Sequence, residues 1–132
     1  MVQKIKNHRK IGDIGEGQAI YFLENLGYKI LQQNFCIRGG EIDIIAKDND
    51  VYVFVEVKTR HQGQFGTPEE SISPQKLKFI TRSISLYLRQ KNLSEFDVDF
   101  RIDLIAIQNK IVENKSVQEI RHYKNAFVFD DF

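Results

Sequence analysis

The sequence predicts an α/β fold in which a mixed β-sheet is flanked by helices, and three patterns carry that reading. Residues 11–26 and 74–91 repeat apolar side chains at helical spacing. Two β-rich runs, 41–47 and 51–59, flank the polar Asp48-Asn49-Asp50. Residues 97–107 alternate in the manner of a further strand.

Each element has its own signal. Apolar residues at 11, 14, 19, 22, 23 and 26 define one stripe of a first helix, and Gly27 suits its end. Tyr28 to Ile37 is compatible with a strand, closed by Gly39-Gly40. The runs around Asp48–Asp50 form a hairpin. Residues 60–68, with Gly63, Gly66 and Pro68, form a loop. A second helix spans about 74–91, with Pro74 in its first turn and Leu77, Ile80, Ile84 and Leu88 on its apolar stripe. A strand follows over 97–107, then a turn at Asn109-Lys110 and another short strand. The order is helix, three strands, helix, two strands.

A chain of 132 residues is the usual size of one domain, so residues 1–132 read as a single unit. With 42% hydrophobic and 28% charged residues and two prolines, it has the composition of a globular rather than a disordered chain. A single cysteine, Cys36, cannot form an internal bridge, and no Cys/His cluster suggests zinc, so a reducing compartment is expected. The polar and basic stretch from Gln3 to Lys10 lacks the apolar segment of a secretory signal, which makes the cytoplasm the expected location.

A net charge of +1 says little about partners, but its distribution says more. Residues 58–91 hold seven Lys/Arg against Glu69 and Glu70, a local excess of +5, whereas residues 1–57 and 92–132 sum to −1 and −3. Positive charge is concentrated just after the third strand.

The hairpin carries the chemistry. In 41–47, Glu41, Asp43 and Ile45 share one face, with Ile42, Ile44 and Ala46 on the other. In 51–59, Phe54, Glu56 and Lys58 share a face with Val53, Val55 and Val57 behind them. An even-numbered loop pairs positions whose numbers sum to 99, setting Asp43 opposite Glu56 on one sheet face and the small aliphatics on the reverse. Two carboxylates facing each other in a ladder repel and need a cation. Mg²⁺ is suited to them, because it prefers hard oxygen ligands and keeps waters and phosphate oxygens in its shell. Lys58 alongside is placed to orient or deprotonate a water, or to neutralise a phosphate. Carboxylates, metal and lysine together supply what phosphodiester hydrolysis requires.

Glu56-Val57-Lys58, preceded by Asp43 and by a helical Glu16, resembles the PD-(D/E)XK nuclease superfamily. The strings GEGQAIYFLENLGYKIL (15–31) and GEIDIIAKDNDVYVFVEVKTR (40–60), with the helix bearing Lys76, resemble more closely the YraN-like family of bacterial proteins. The resemblance covers most of the chain. It implies a restriction-endonuclease-like core and a metal-dependent endonuclease distantly akin to archaeal Holliday-junction resolvases. The substrate would be DNA, branched or otherwise structured, with a homodimer as one arrangement open to the chain. Carried over residue by residue, it makes Asp43 and Glu56 metal ligands, joined by the backbone carbonyl of Val57, and Lys58 the catalytic lysine. Glu16 completes the acidic cluster. Arg60, Lys76 and Gln75 contact the phosphate backbone, and Mg²⁺ is the cofactor with Mn²⁺ as substitute. Ile42 stands where the superfamily name has proline.

Other motifs are set aside. Asp97, Asp99 and Asp103 with Arg101 read as a solvated or ion-paired edge-strand face rather than a second metal site. Gly12, Gly15 and Gly17 follow no strand and lack a P-loop's Lys-Ser/Thr. His8, His61 and His122 show no ligand spacing. Cys36 reads as a packed thiol, and Tyr21, Phe22, Phe79 and Tyr87 read as core rather than as base-stacking platforms. The competing function is a non-catalytic, nuclease-like module that binds nucleic acid or protein. Retention of Glu16, Asp43, Glu56 and Lys58 together argues against it.

Overall fold

The structure is a computed structural model that describes residues 2–61, 66–69 and 72–127, with side chains from Ile14 onward. Helix α1 (Val2–Asn25) leads into strands β1 (Lys29–Ile37), β2 (Gly40–Asp48) and β3 (Val51–Arg60), then helix α2 (Pro74–Gln90) and strands β4 (Phe100–Val112) and β5 (Lys115–Phe127). The expected α/β order is present. The five strands form one mixed sheet in the order β1-β2-β3-β4-β5, in which only β3 and β4 run parallel. That parallel pair is joined through α2, because parallel neighbours need a long crossover.

Each helix covers one face of the sheet. Ala19 and Leu23 of α1 pack on Ile44, Ala46, Val53, Val55, Ile105 and Ile107. Ile80, Ile84, Tyr87 and Leu88 of α2 pack on Phe35, Ile42, Ile45, Phe54 and Ile102. Apolar burial on both faces explains why β3 reads as a nearly continuous hydrophobic run. The stripe on α1 is narrower than expected, since Ile14 and Leu26 are exposed. Helix α2 follows its pattern closely, with Ser73 as N-cap accepting the Lys76 N–H and Pro74 in the first turn. Gly27 ends α1 at φ +91°, a conformation that favours glycine.

Several expectations are corrected. Helix α1 begins at Val2, not near Ile11. Strand β4 begins at Phe100 rather than Asp97, because residues 94–97 close a turn held by Asp97 N–H to Ser94 O and Ser94 Oγ to Asp97. The β4–β5 turn lies at Glu113-Asn114, both in the left-handed region, while Asn109 and Lys110 stay in the ladder opposite Gln118 and Val117. Strand β5 is therefore 13 residues long rather than short. Cys36 is exposed because it lies on edge strand β1. Tyr21 is likewise exposed rather than core. Gly63 lies outside the described residues.

The Asp103 group is ion-paired as expected, through Arg101, and Asp97 and Asp99 are exposed, but its strand is not an edge and Asp103 itself is not solvated. Strand β4 is interior, and Asp103 is fully buried, accepting from Arg101 Nε at 3.0 Å and Asn125 N at 2.9 Å and meeting His122 Nε2 at 2.8 Å. Burial alone would push its carboxyl up, but these hydrogen bonds hold it below the ordinary range. His122, which had shown no role in the sequence, is packed edge-on against Phe22 and Tyr28. Among the described residues no helix is long and apolar enough to cross a membrane.

Candidate active site

The hairpin register is the expected one over its outer half. Asp48 pairs with Val51, and the ladder continues through Ala46–Val53 to Ile44–Val55, always summing to 99. The backbone pairing given for β2 and β3 ends there. Asp43 does not continue opposite Glu56 as a flat pair. Its Oδ2 accepts the Val57 N–H at 2.8 Å, so a side chain takes a donor on the side where β2 leaves β3.

The face pattern changes at the same point. Ile44 belongs to the core under α1, but Ile42 belongs with Ile45 to the core under α2, whereas strict alternation puts Ile42 and Ile44 together. Asn34 on β1 lies between the Phe35–Ile42 and Gln33–Ile44 pairs, hence across from Asp43, and has φ +51°. A left-handed residue there marks a local irregularity of the ladder opposite Asp43. The expected flat pairing of Asp43 with Glu56 stops at Ile44–Val55, yet beyond that point Glu56 remains close enough for its charge to act on Asp43.

Two glycines set the acidic residues around Asp43. A Cβ on Gly15 would come within 2.5 Å of Thr59 Oγ1, so α1 approaches β3 closely just before Glu16. A Cβ on Gly40 would meet Ser83 Oγ at 2.6 Å and the Phe79 carbonyl at 2.9 Å, so α2 is seated on β2 just before Glu41. The carboxylates of Glu16, Glu41 and Asp43 each offer an oxygen within 4.8 Å of the other two. Burial, then the charges of Glu56, Glu16 and Glu41, push the Asp43 carboxyl up to about 8, against the pull of the Val57 hydrogen bond.

Glu56 is held differently. It is 2% exposed, and its Oε1 lies 3.2 Å from Lys58 Nζ and 3.4 Å from Lys76 Nζ. Its Oε2 is buried without a hydrogen-bond partner among the described residues. Lys76, expected on phosphate, here reaches back from the first turn of α2 to Glu56. Strand β3 persists to Arg60, which is half-buried and donates from Nη1 to the Thr59 carbonyl, while Gln75 is exposed. Structure thus brings Glu16, Asp43, Glu56, Lys58 and Lys76 to one end of β3 and leaves Arg60 and Gln75 at its margin. Glu41 was not singled out as a site residue from the sequence. Its place two residues before Asp43 on the same strand was the available signal.

The model of Uncharacterised protein family UPF0102 matches residues 15–107. The chain belongs to that family. UPF0102 proteins similar to this chain include one from Alkaliphilus oremlandii, 47% identical over 120 residues, spanning 91% of this chain and 99% of the relative. Another, from Geotalea daltonii, is 42% identical over 123 residues, covering 92% and 93% of the two chains. One from Carboxydothermus hydrogenoformans is 37% identical, covering 93% and 99%. The UPF0102 family is YraN-like, as the GEIDIIA and FVEVKTR strings implied. The family match spans Glu16, Glu41, Asp43, Glu56, Lys58 and Lys76.

The donor set fits a hard divalent cation. It offers several carboxylate oxygens in one place, a carboxyl pushed up by burial and then by its acidic neighbours, and a buried Glu56 oxygen with no hydrogen-bond partner among the described residues.

Proposed function

We propose that this protein is a metal-dependent endonuclease that hydrolyses phosphodiester bonds in DNA, in the cytoplasm, with branched or structured DNA as its substrate. The observation that carries the reading is the convergence at the end of β3. Asp43 and its acidic neighbours lie beside a buried Glu56 whose one oxygen is held by two lysines and whose other has no partner among the described residues.

Mg²⁺ or Mn²⁺ would be held by Asp43 and Glu56, with the Val57 carbonyl as a further ligand and Glu16 in support. Bound there, the ion would polarise the phosphate and lower the pKa of a water. Lys58 lies beside the carboxylates, where it orients the attacking water or neutralises charge building on the phosphoryl oxygens. With Glu56 balanced by a cation, Lys58 and Lys76, which lie on its Oε1, would be available to phosphate. Arg60 and Gln75 flank the same end and would track the backbone.

The test is incubation of purified protein with Mg²⁺ or Mn²⁺ and linear, flapped and four-way DNA, beside Asp43→Asn, Glu56→Gln and Lys58→Ala. Cleavage by wild type alone is expected. Binding without cleavage under every metal and substrate would favour a non-catalytic module instead.

A further inference from the structure

We propose that this protein forms a two-fold homodimer through the open edge of β5, with Ile120 at the axis of one continuous sheet. The sheet has two edges, and only one of them is regular. Strand β1 is interrupted by a register shift between Ile30 and Gln32 and by Asn34 at φ +51°. Strand β5 pairs with β4 without a shift from Lys115 opposite Val112 to Tyr123 opposite Leu104. Glu113 and Asn114, both at positive φ, make a two-residue turn, so the closing pair Val112–Lys115 exchanges both backbone bonds. Alternation then turns the N–H and C=O of Val117, Glu119 and Arg121 toward β4, and those of Ser116, Gln118, Ile120 and His122 toward the open edge. An edge of that length and regularity is a template for another strand.

The charges along this edge select a second copy of the same strand. Like charges directly opposite one another destabilise a ladder, and opposite charges support it. Three antiparallel two-fold registers pair seven or more residues of the regular segment 115–123 with its own copy. Centred on Gln118, Lys115 meets the partner's Arg121. Centred on Glu119, that carboxylate meets its own copy. Centred on Ile120, Glu119 meets the partner's Arg121 and Val117 meets the partner's Tyr123, each twice by symmetry. Both pairs fall at positions without mutual backbone bonds, where facing side chains lie closest. Within one chain Arg121 already bridges Glu119 and Glu69, and Glu119 holds Lys110, so the dimer joins two networks of alternating sign. Apolar surface lies on the same edge. Val117 and Tyr123 are exposed, and on the α1 side an open groove is lined by Ile14, Tyr21, Leu26 and Ile120. An axis perpendicular to the sheet keeps like faces together, so the two grooves meet over the paired β5 strands.

Sedimentation equilibrium at micromolar protein tests this on wild type, Glu119→Arg, Arg121→Glu, an equimolar mixture of those two variants, and Gln118→Pro. Wild type should sediment as a dimer. Glu119→Arg sets arginine opposite arginine and Arg121→Glu sets glutamate opposite glutamate, so each alone should weaken association at least tenfold. In the mixture an all-basic edge meets an all-acidic one, and the dimer should return as a heterodimer, a rescue that a mere folding defect does not allow. Gln118→Pro leaves every charge in place and removes one outward N–H, and it too should weaken association. Thermal unfolding of each variant checks that the fold is kept. A monomeric wild type overturns the proposal. So does a dimer that persists in Gln118→Pro or in both charge variants, or a mixture of folded, monomeric variants that fails to associate.

Discussion

The Val57 N–H donates to Asp43 Oδ2 at 2.8 Å, tying the one strand to the other at the point where their backbone pairing ends. This bond favours the ionised carboxylate, yet burial and the charges of Glu56, Glu16 and Glu41 outweigh it and hold the Asp43 carboxyl at about 8, far above its ordinary 3.8. The metal-free folded chain therefore keeps a proton that the unfolded chain releases. Raising pH from about 4 to about 8 should cost stability, because the unfolded state binds fewer protons over that window. Asp43→Asn should flatten the decline. A cation competes with the same proton, so stabilisation by Mg²⁺ should grow as pH rises through about 8. Denaturant titrations across pH, with and without Mg²⁺, read both effects; an Asp43→Asn curve that parallels wild type would count against them.

Two glycines on α1 should respond in opposite directions. Gly15→Ala forces a methyl to within 2.5 Å of Thr59 Oγ1, an overpacking that costs about 1–3 kcal/mol and displaces Glu16 from its place beside Asp43. Gly17→Ala meets nothing within 4 Å in a helix interior and should stabilise by about 0.5–1 kcal/mol. Removing the obstructing hydroxyl in Gly15→Ala/Thr59→Ala should recover most of the loss in Tm and in Mn²⁺ affinity. Failure of that rescue would mean that the close approach of α1 to β3 does not position Glu16.

Much of this site was legible in the sequence, and the part that was not has physical causes. Alternation alone selected the 99 register, because a one-residue slip would have buried charges on both faces. The irregularity opposite Asp43 was hidden. Asn34 adopts φ +51° there, and nothing in the sequence distinguishes that asparagine from Asn109, which stays in an ordinary ladder. The β4–β5 turn was misplaced for the same reason, since Asn109-Lys110 and Glu113-Asn114 both carry turn residues and only continued pairing through Val112 decides between them. The Asp103–His122 contact joins residues 19 apart across a ladder, a separation that no periodicity marks. Lys76 on Glu56 depends on how α2 is seated, which a helix signal cannot give.

Asp103 should prove structural and not a metal ligand. It is fully buried and bonded to Arg101, His122 and Asn125, so truncation takes the acceptor away from the His122 ring, the Asn125 N–H and Arg101 Nε, leaving Arg101 its bonds to Asp48 and Tyr28. Asp103→Ala should destabilise the chain by about 3–5 kcal/mol without changing its Mn²⁺ affinity. Its carboxyl lies below the ordinary 3.8, so its contribution is present above that value and is lost as pH falls through the lower, folded value. Loss of Mn²⁺ binding in a folded Asp103 variant would reopen a second metal site.

The last prediction concerns how DNA engages the basic segment, in which Lys76 has a double role. Its Nζ lies 3.4 Å from Glu56 Oε1, whereas Arg60 donates to its neighbour's carbonyl and stands at the end of β3. A cation balancing the carboxylates would free Lys76, which stands in the first turn of α2, where the helix dipole also favours an anion. Removal of Lys76 should then weaken DNA binding only when a divalent cation is present, and removal of Arg60 should weaken it in either state. Lys58→Ala provides the background for measurement, since it should lose cleavage and largely keep binding. In that background, binding to junction and linear duplex across a salt series should give slopes shallower by about one ion for Arg60→Ala, and for Lys76→Ala with metal. Gln75→Ala, which removes no charge, should lower affinity with the slope unchanged. If neither charged variant alters the slope, the positive excess of residues 58–91 is a solvated face and DNA lies elsewhere on the sheet.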